Sequence, residues 1–309
     1  MSFDRFAHEA QALSLPEDVK AALEYHRMVA WGMRERANQV RDQWKERALQ
    51  RSLSIPSDFA TLWQDVAQPR LDLDLLPVGS WAIQFRFRLR TPYLSRDEEL
   101  FHVIDNPVRA EPLWGLPFIA STSWKGLLRA AVRRDGGLAD NDPCVRRLFG
   151  NPRATEQDFL QGRLRFFPTF FDKKGLEIIN PHDRERRVGK NPIFIERVPA
   201  GAEGTFTLLY LPFGAPKADP GIATCCDDLC KIAATIRTLF VETGFSAKTS
   251  SGYGLAEVRL RDGTHAMRLK VGYRNIKVAA SSSLNEFGDA AARLREQVTT
   301  EPKEVPNDP

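Results

Sequence analysis

One segment restricts the fold of this chain more than any other. From Trp81 to Arg90, the large apolar residues Trp81, Ile83, Phe85, Phe87 and Leu89 alternate with the polar Gln84, Arg86, Arg88 and Arg90. Successive side chains of a strand point to opposite faces, so this pattern is a half-buried β-strand whose outer face is rich in arginine. A solvated face explains those arginines as well as nucleic acid does. The 309 residues suffice for one large domain or two modest ones, and a composition of 42% hydrophobic and 27% charged residues is that of a globular protein.

Upstream of the strand the chain reads as helical. Ser14-Leu15-Pro16-Glu17-Asp18 and Ser54-Ile55-Pro56-Ser57-Asp58 are helix starts, and the stretch from Val19 to about Arg51 holds no proline and one glycine, Gly32. Nearly balanced charge there suggests a packing module. Downstream, Ser121-Thr122-Ser123 reads as the cap of a helix whose apolar stripe is Trp124, Leu127, Leu128, Ala131 and Val132. Lys125, Arg129 and Arg133 share another face. A helix N-terminus with hydroxyls and nearby cations is a favourable phosphate site, although a capped amphipathic helix carries the same residues.

Gly162 to Phe167, Pro192 to Ile195 and Gly204 to Tyr210 read as strands, and Ile222 to Thr243 as a helix. A last strand follows Gly254. The segment from Phe171 to Asn191, with His182-Asp183-Arg184-Glu185-Arg186-Arg187, reads as a polar excursion. Strand, helix, strand, strand, helix, strand gives an α+β chain, a modified ferredoxin-like (RRM-like) domain with an N-terminal helical extension. The expected units are 1–75, 76–280 and a partly disordered tail, 281–309, with room for one helix.

Some classes are excluded on sequence grounds. No run of eighteen apolar residues suggests a membrane span, and Met1-Ser2-Phe3-Asp4-Arg5 does not open a signal peptide, so a cytoplasmic protein is expected. Cys225, Cys226 and Cys230 lie on a helical segment without a second set of zinc ligands and read as structural. A net charge of +4 says little unless the cations cluster.

The segment Gly244-Phe245-Ser246-Ala247-Lys248-Thr249-Ser250-Ser251-Gly252-Tyr253-Gly254 is the most informative. Its glycines, hydroxyls and lysine suit a backbone that approaches phosphates, but it lacks the order of a P-loop and leads into a strand. It resembles the C-terminal glycine-rich signature of the CRISPR-associated RAMP superfamily, Ala-Lys-Thr, two variable residues, then Gly-Tyr-Gly. Three further segments are similar to that family's motifs in the same order: Ile104-Asp105-Asn106-Pro107-Val108, the stretch Leu116 to Arg129, and Leu148-Phe149-Gly150 with Gly162 to Phe166. Ala120 and Thr122 depart from the usual Pro-Gly-Ser-Ser run, and Ser246 stands where a glycine is frequent.

The resemblance implies a guide-RNA (crRNA)-binding subunit of a type III effector complex that tracks phosphates while base pairing supplies specificity. Its implied contacts are Ser121, Ser123, Lys125, Arg129, Gly244, Lys248, Thr249, Ser250, Gly252 and Gly254, with Arg86 and Arg88 from the strand. Residues 172–191 would form the family's thumb-like hairpin. Asp105 matches an aspartate that supports cleavage of target RNA with Mg²⁺ or Mn²⁺, although Asp-Asn-Pro is also a turn sequence; Asp97, Glu98, Glu99 and His102 are further candidates. The implied partners are crRNA, target RNA and other RAMP and effector subunits, without a membrane. Three alternatives stand beside this reading: a non-cleaving cap of the guide's 3′ end, a guide-processing endoribonuclease using His26 or His102, and a ferredoxin-like protein unrelated to nucleic acid.

Overall fold

The computed structural model describes residues 17–48, 50–52, 57–95, 102–104, 106–111, 114–151, 160–179, 193–213, 221–258, 266–271, 275–281 and 283–300. In chain order these form α1 (Glu17–Ala30), α2 (Arg34–Ala48), β1 (Gln50–Ser52), α3 (Ala60–Ala67), β2 (Trp81–Leu89), β3 (Phe118–Ile119), α4 (Ser121–Gly136) and α5 (Pro143–Phe149). Then follow β4 (Leu164–Phe166), β5 (Thr169–Phe170), β6 (Lys173–Ile179), β7 (Ile193–Arg197), β8 (Glu203–Tyr210), α6 (Gly221–Thr238), β9 (Ala256–Glu257), β10 (Ala266–Val271), β11 (Asn275–Ala280) and α7 (Phe287–Thr300).

The chain is α+β, and its alternating segment is the centre of the main sheet. The strand order is β11-β10-β2-β8-β4, with β9 against the far end of β2, and every pairing is antiparallel. Trp81, Ile83, Phe85, Phe87 and Leu89 are buried, whereas Arg86 and Arg88 are exposed. Their apolar face packs against α4, α6 and α7. Trp124 of α4 stacks on Phe240 at 5.5 Å, Phe85 meets Phe287 at 5.3 Å, and Phe87 meets Phe245 at 5.6 Å. These offset and edge-on rings supply directional contacts beyond the area they bury.

The helix expected in the tail after Ser281 is present as α7, and it belongs to the core. Phe287, Ala290, Ala291, Leu294 and Val298 put one stripe of α7 into the core, against α6. Alanines in a short amphipathic stretch look weak in sequence, but they let two helices approach closely. The expectation of a single strand after Gly254 is corrected: β9 is two residues long, and β10 and β11 follow it. Residues 301–309 lie outside the described residues.

The expected hairpin at 172–191 is moved and lengthened. Its strands are β6 and β7, so Ile193–Arg197 is the second arm of the hairpin rather than a strand of the main sheet. Residues 180–192, including His182 to Arg187, lie outside the described residues. The hairpin's other edge takes β1, giving a second sheet of order β1-β6-β7. Beneath it, Ala21, Ala22, Trp44 and Ala48 of α1 and α2 pack with Val103, Ile104 and Leu176. The stretch expected as helical holds two helices, turning at Trp31–Gly32–Met33; Ser14 and Ser54 lie outside the described residues. The N-terminal extension also crosses the polar face of the main sheet. Gln84 donates to the Pro69 carbonyl at 3.0 Å, and Leu73 packs on Ala82 and Leu209.

A buried charge network fastens the elements to one another. Arg147 of α5 meets Asp228 of α6 through two hydrogen bonds of 2.9 and 2.7 Å, and the Tyr210 hydroxyl donates to the same carboxylate at 2.9 Å. Arg163 donates to Tyr210 at 3.0 Å. Burial, and then the Asp228 charge, push the Tyr210 phenol far above its usual range. Cys225 and Cys226 are buried in α6 beside this network, and burial raises the Cys226 thiol to about 12.

Candidate nucleic-acid interface

The first turn of α4 forms one half of the site. The sequence places a cap at Ser121–Ser123, but the residue that occupies that position is Ala120, extended at φ −66°, ψ 151° and without a side-chain bond to the helix. Ser121, Thr122 and Ser123 are instead the first helical residues. The opening amides of a helix have no acceptor inside it, so this end offers N–H groups and two half-exposed hydroxyls, Ser121 and Ser123. The Trp124 ring donates to Thr169 Oγ1 at 3.0 Å, which pins the turn to the sheet.

Lys125 is exposed on the same turn and makes no ion pair among the described residues. Its pKa is lowered, first by partial burial and then by the positive charges of Arg129 and Arg165. Arg129 is less available than its spacing suggested, because it bonds Asp140 at 3.0 Å, and Arg133 reaches the same carboxylate at 3.0 Å. Arg165 of β4 is the cation that sequence reasoning missed. It donates to the carbonyls of Gly162 and Leu164 and has no carboxylate partner among the described residues. Arg163 two residues earlier is buried, so the pair in Gly162-Arg163-Leu164-Arg165 gave no signal as to which one faces out.

The glycine-rich loop forms the other half, and two of its glycines have a role within the loop itself. A Cβ on Gly244 would lie 2.5 Å from the Tyr253 carbonyl, and one on Gly254 would lie 2.5 Å from the Ser246 Cβ. These two glycines let the limbs of the loop approach each other closely. Ser246, the departure from the motif, is buried and clamps the neck: its hydroxyl accepts from the Leu94 amide at 2.7 Å and donates to the Leu94 carbonyl at 3.1 Å. Beyond the neck, Lys248, Thr249, Ser250 and Gly252 form an exposed tip around the short helical turn Thr249–Ser251. Lys248 is left-handed at φ 61°, uncommon outside glycine and strained for a lysine. Phe245 at the neck packs on Trp124 at 5.1 Å, so the loop and the first turn of α4 stand side by side.

Arg86 and Arg88 do not join this cluster through any contact among the described residues. Arg88 lies opposite Glu203 and Glu257 in the register of the sheet. Arg86 lies under the end of α3, where the Gln68 amide, turned so that its oxygen faces the guanidinium, accepts from it at 2.7 and 3.1 Å.

Asp105 lies outside the described residues, as do Asp97, Glu98 and Glu99; the residues that flank position 105 are held firmly. Glu196 of β7, 1% exposed, accepts from the Val108 amide at 3.2 Å and from Lys174 at 2.9 Å, and its own amide donates to the Asn106 carbonyl at 3.0 Å. His102 Nδ1 accepts from the Ile104 amide at 3.3 Å, which leaves the proton on Nε2, 3.5 Å from Glu196. His26 Nε2 lies 3.0 Å from the His102 carbonyl. Both histidines are thus engaged in the fold. Among the described residues no group of three or more histidine, cysteine or acidic side chains could hold a metal ion, and Glu196 is already matched by Lys174. Asp105, on which a metal-dependent reading turns, is not among those residues.

Residues 80–257 match the family model of the RAMP superfamily. A curated relative, the CRISPR system Cms endoribonuclease Csm3 of Mycobacterium tuberculosis (strain ATCC 25618 / H37Rv), is 31% identical over 135 residues, covering 37% of this chain. The match covers 55% of that relative, so the chain spans about half its length. Among solved structures, a chain of the type III-B Cmr-beta complex bound to cognate target RNA aligns at TM-score 0.50 and 16% identity, over 83% of this chain and 81% of that one. A chain of a Csm3–Csm4 subcomplex in the type III-A CRISPR-Cas interference complex aligns at TM-score 0.44 and 17% identity, over 69% and 95%. The type III-B likeness is one of fold. Among the described residues no helix is long and apolar enough to cross a membrane.

Proposed function

This chain belongs to the RAMP superfamily, and from that premise we propose that it is a guide-RNA-binding subunit of a type III CRISPR effector complex, gripping the RNA by its phosphates. The curated relative is named as a CRISPR endoribonuclease, and the type III-B complex is bound to target RNA; both support the reading. The observation that carries it is Lys125, an ammonium crowded by two cations, without an ion pair among the described residues, at the open end of a helix. Like charges are held together at a cost unless an anion joins them, and a phosphate satisfies the amides, the hydroxyls and the cations at once. The strained Lys248 tip beside it offers a second contact. Sequence selection then comes from the guide's base pairing with its target, and neighbouring RAMP subunits continue the grip.

The test is fluorescence anisotropy of a labelled single-stranded guide with the full chain at several salt concentrations. Binding should weaken steeply with salt, and Lys125→Ala and Arg165→Ala should each reduce the salt slope by about 0.7, the value for one phosphate contact on a single strand. Salt-independent binding, or none, overturns the reading.

A second reading adds cleavage of the target at Asp105, favoured by the buried Glu196, which holds Asn106 and Val108 just after that position. Target RNA is incubated with the reconstituted complex in Mg²⁺, with and without chelation, comparing wild type with Asp105→Ala. Loss of one or more cuts with guide binding retained supports cleavage. Retention of every cut leaves a scaffold or a cap of the guide's 3′ end.

A further inference from the structure

We propose that the cavity between α3 and the outer face of β2 and β8 receives a single unstacked nucleobase. Its volume is about 270 Å³. One wall is aromatic: Trp63 meets Phe170 edge-on at 4.7 Å and is braced from behind by Trp114 at 5.5 Å. The exposed residues Arg86, Asp172 and Glu203 line the cavity as well: the Gln68 amide, with its oxygen turned to the guanidinium, holds Arg86, and Asp172 accepts from the Glu203 amide at 3.4 Å.

The lining selects its ligand by exclusion. Two carboxylates repel a phosphate, and Arg86 repels a metal ion. A purely apolar ligand would desolvate three charged groups with nothing to match them. What remains is a flat, neutral ring system carrying both donors and acceptors on its edge. Unstacked bases are held in this way, by aromatic or guanidinium planes on the face and hydrogen bonds on the edge. Guanine matches best, because its O6 and N7 accept from an arginine fork and its N2 amino group donates to a carboxylate.

The cavity also stands next to the phosphate site. Phe170 in its wall pairs with Phe118 of β3, the strand that leads into α4, and the adjacent Thr169 accepts from Trp124 and donates to the Thr205 carbonyl at 2.8 Å. A nucleotide splayed from RNA held at α4 is one source of the base, which rests on the function proposed above. A free nucleotide is the other.

The experiment has two arms, both on the full chain. In the first, saturation-transfer NMR follows the base protons of guanosine and cytidine monophosphates with wild type, Trp63→Ala, Trp63→Phe and Arg86→Ala, each checked for an unchanged melting temperature. Guanine signals in wild type and Trp63→Phe, lost in the other two, are expected. In the second arm, Trp63→Ala should weaken a guanine-containing single-stranded RNA about 5- to 150-fold, the range of one stacked base. That loss should vanish on an RNA made abasic at the guanine. RNA affinity unchanged with guanosine binding retained supports the pocket and assigns it a free nucleotide. No dependence on Trp63 or Arg86 in either arm overturns it. If wild type binds no RNA, the proposed function falls, and the first arm alone decides the pocket.

Discussion

Two groups of cations in this molecule look alike in sequence and behave in opposite ways. Arg147 is clasped by Asp228, which 1% exposure removes from water, and Tyr210 and Arg163 complete the satisfaction of the pair. Lys125 and Arg165 meet no carboxylate among the described residues and instead face one another's charge. The first group is architecture. Its partners come from different elements, and its charges are cancelled inside the fold. The second costs the free chain something, and that cost is recovered when an anion arrives. An arginine count therefore says little, whereas the presence of an internal counter-charge separates a structural cation from a binding one.

The sharpest way to break this contrast is Asp228→Ala. Removing the buried Asp228 leaves the half-buried Arg147 and the Tyr210 hydroxyl without their acceptor and should lower stability by about 2–3 kcal/mol, read by urea denaturation. A loss below about 1 kcal/mol, the scale of a surface pair, would mean that the network is solvated and the contrast false. The second prediction is the mirror image. Lys125→Ala and Arg165→Ala should each cut guide-RNA affinity roughly 10- to 100-fold, as expected for a charged hydrogen bond, while stability changes by no more than about 0.5 kcal/mol.

The third concerns pH. The pKa of Lys125 lies below the usual 10.5, so its charge and its share of RNA binding are present below the lowered value and are lost as pH rises through it. In the same window the unfolded chain binds more protons than the folded one, so the stability of the free chain rises with pH while RNA affinity falls. Lys125→Arg should remove the alkaline loss of affinity; if wild type and Lys125→Arg titrate alike, another group is responsible. The smallest effect is expected from Arg129→Ala. Asp140 already matches that cation, so RNA affinity should fall by less than about 5-fold, and a larger loss would place Arg129 with the binding group.

Much of the candidate site was legible because its signals are local. The helix stripe beginning at Trp124, the basic face with Lys125 and the glycine-rich loop could each be read within a dozen residues. Less legible were the features in which a residue depends on something distant. Gly244 and Gly254 give no sign in sequence that the Tyr253 carbonyl and the Ser246 side chain lie against them. Ser246 looks like a defect in a motif but holds Leu94, 152 residues away in sequence. Arg129 has the right spacing and the wrong neighbour.

By itself the sequence determined the two faces of β2, the helical character of α4 and the position of the loop, because these follow from periodicities of two and 3.6 residues and from a few residue types. Only the tertiary structure decided that α7 belongs to the core, that β1 joins the hairpin, and that Arg147 finds Asp228, 81 residues on. The reason is physical: a period is set by neighbours along the chain, whereas desolvation and charge pairing are set by neighbours in space, and folding alone brings those together.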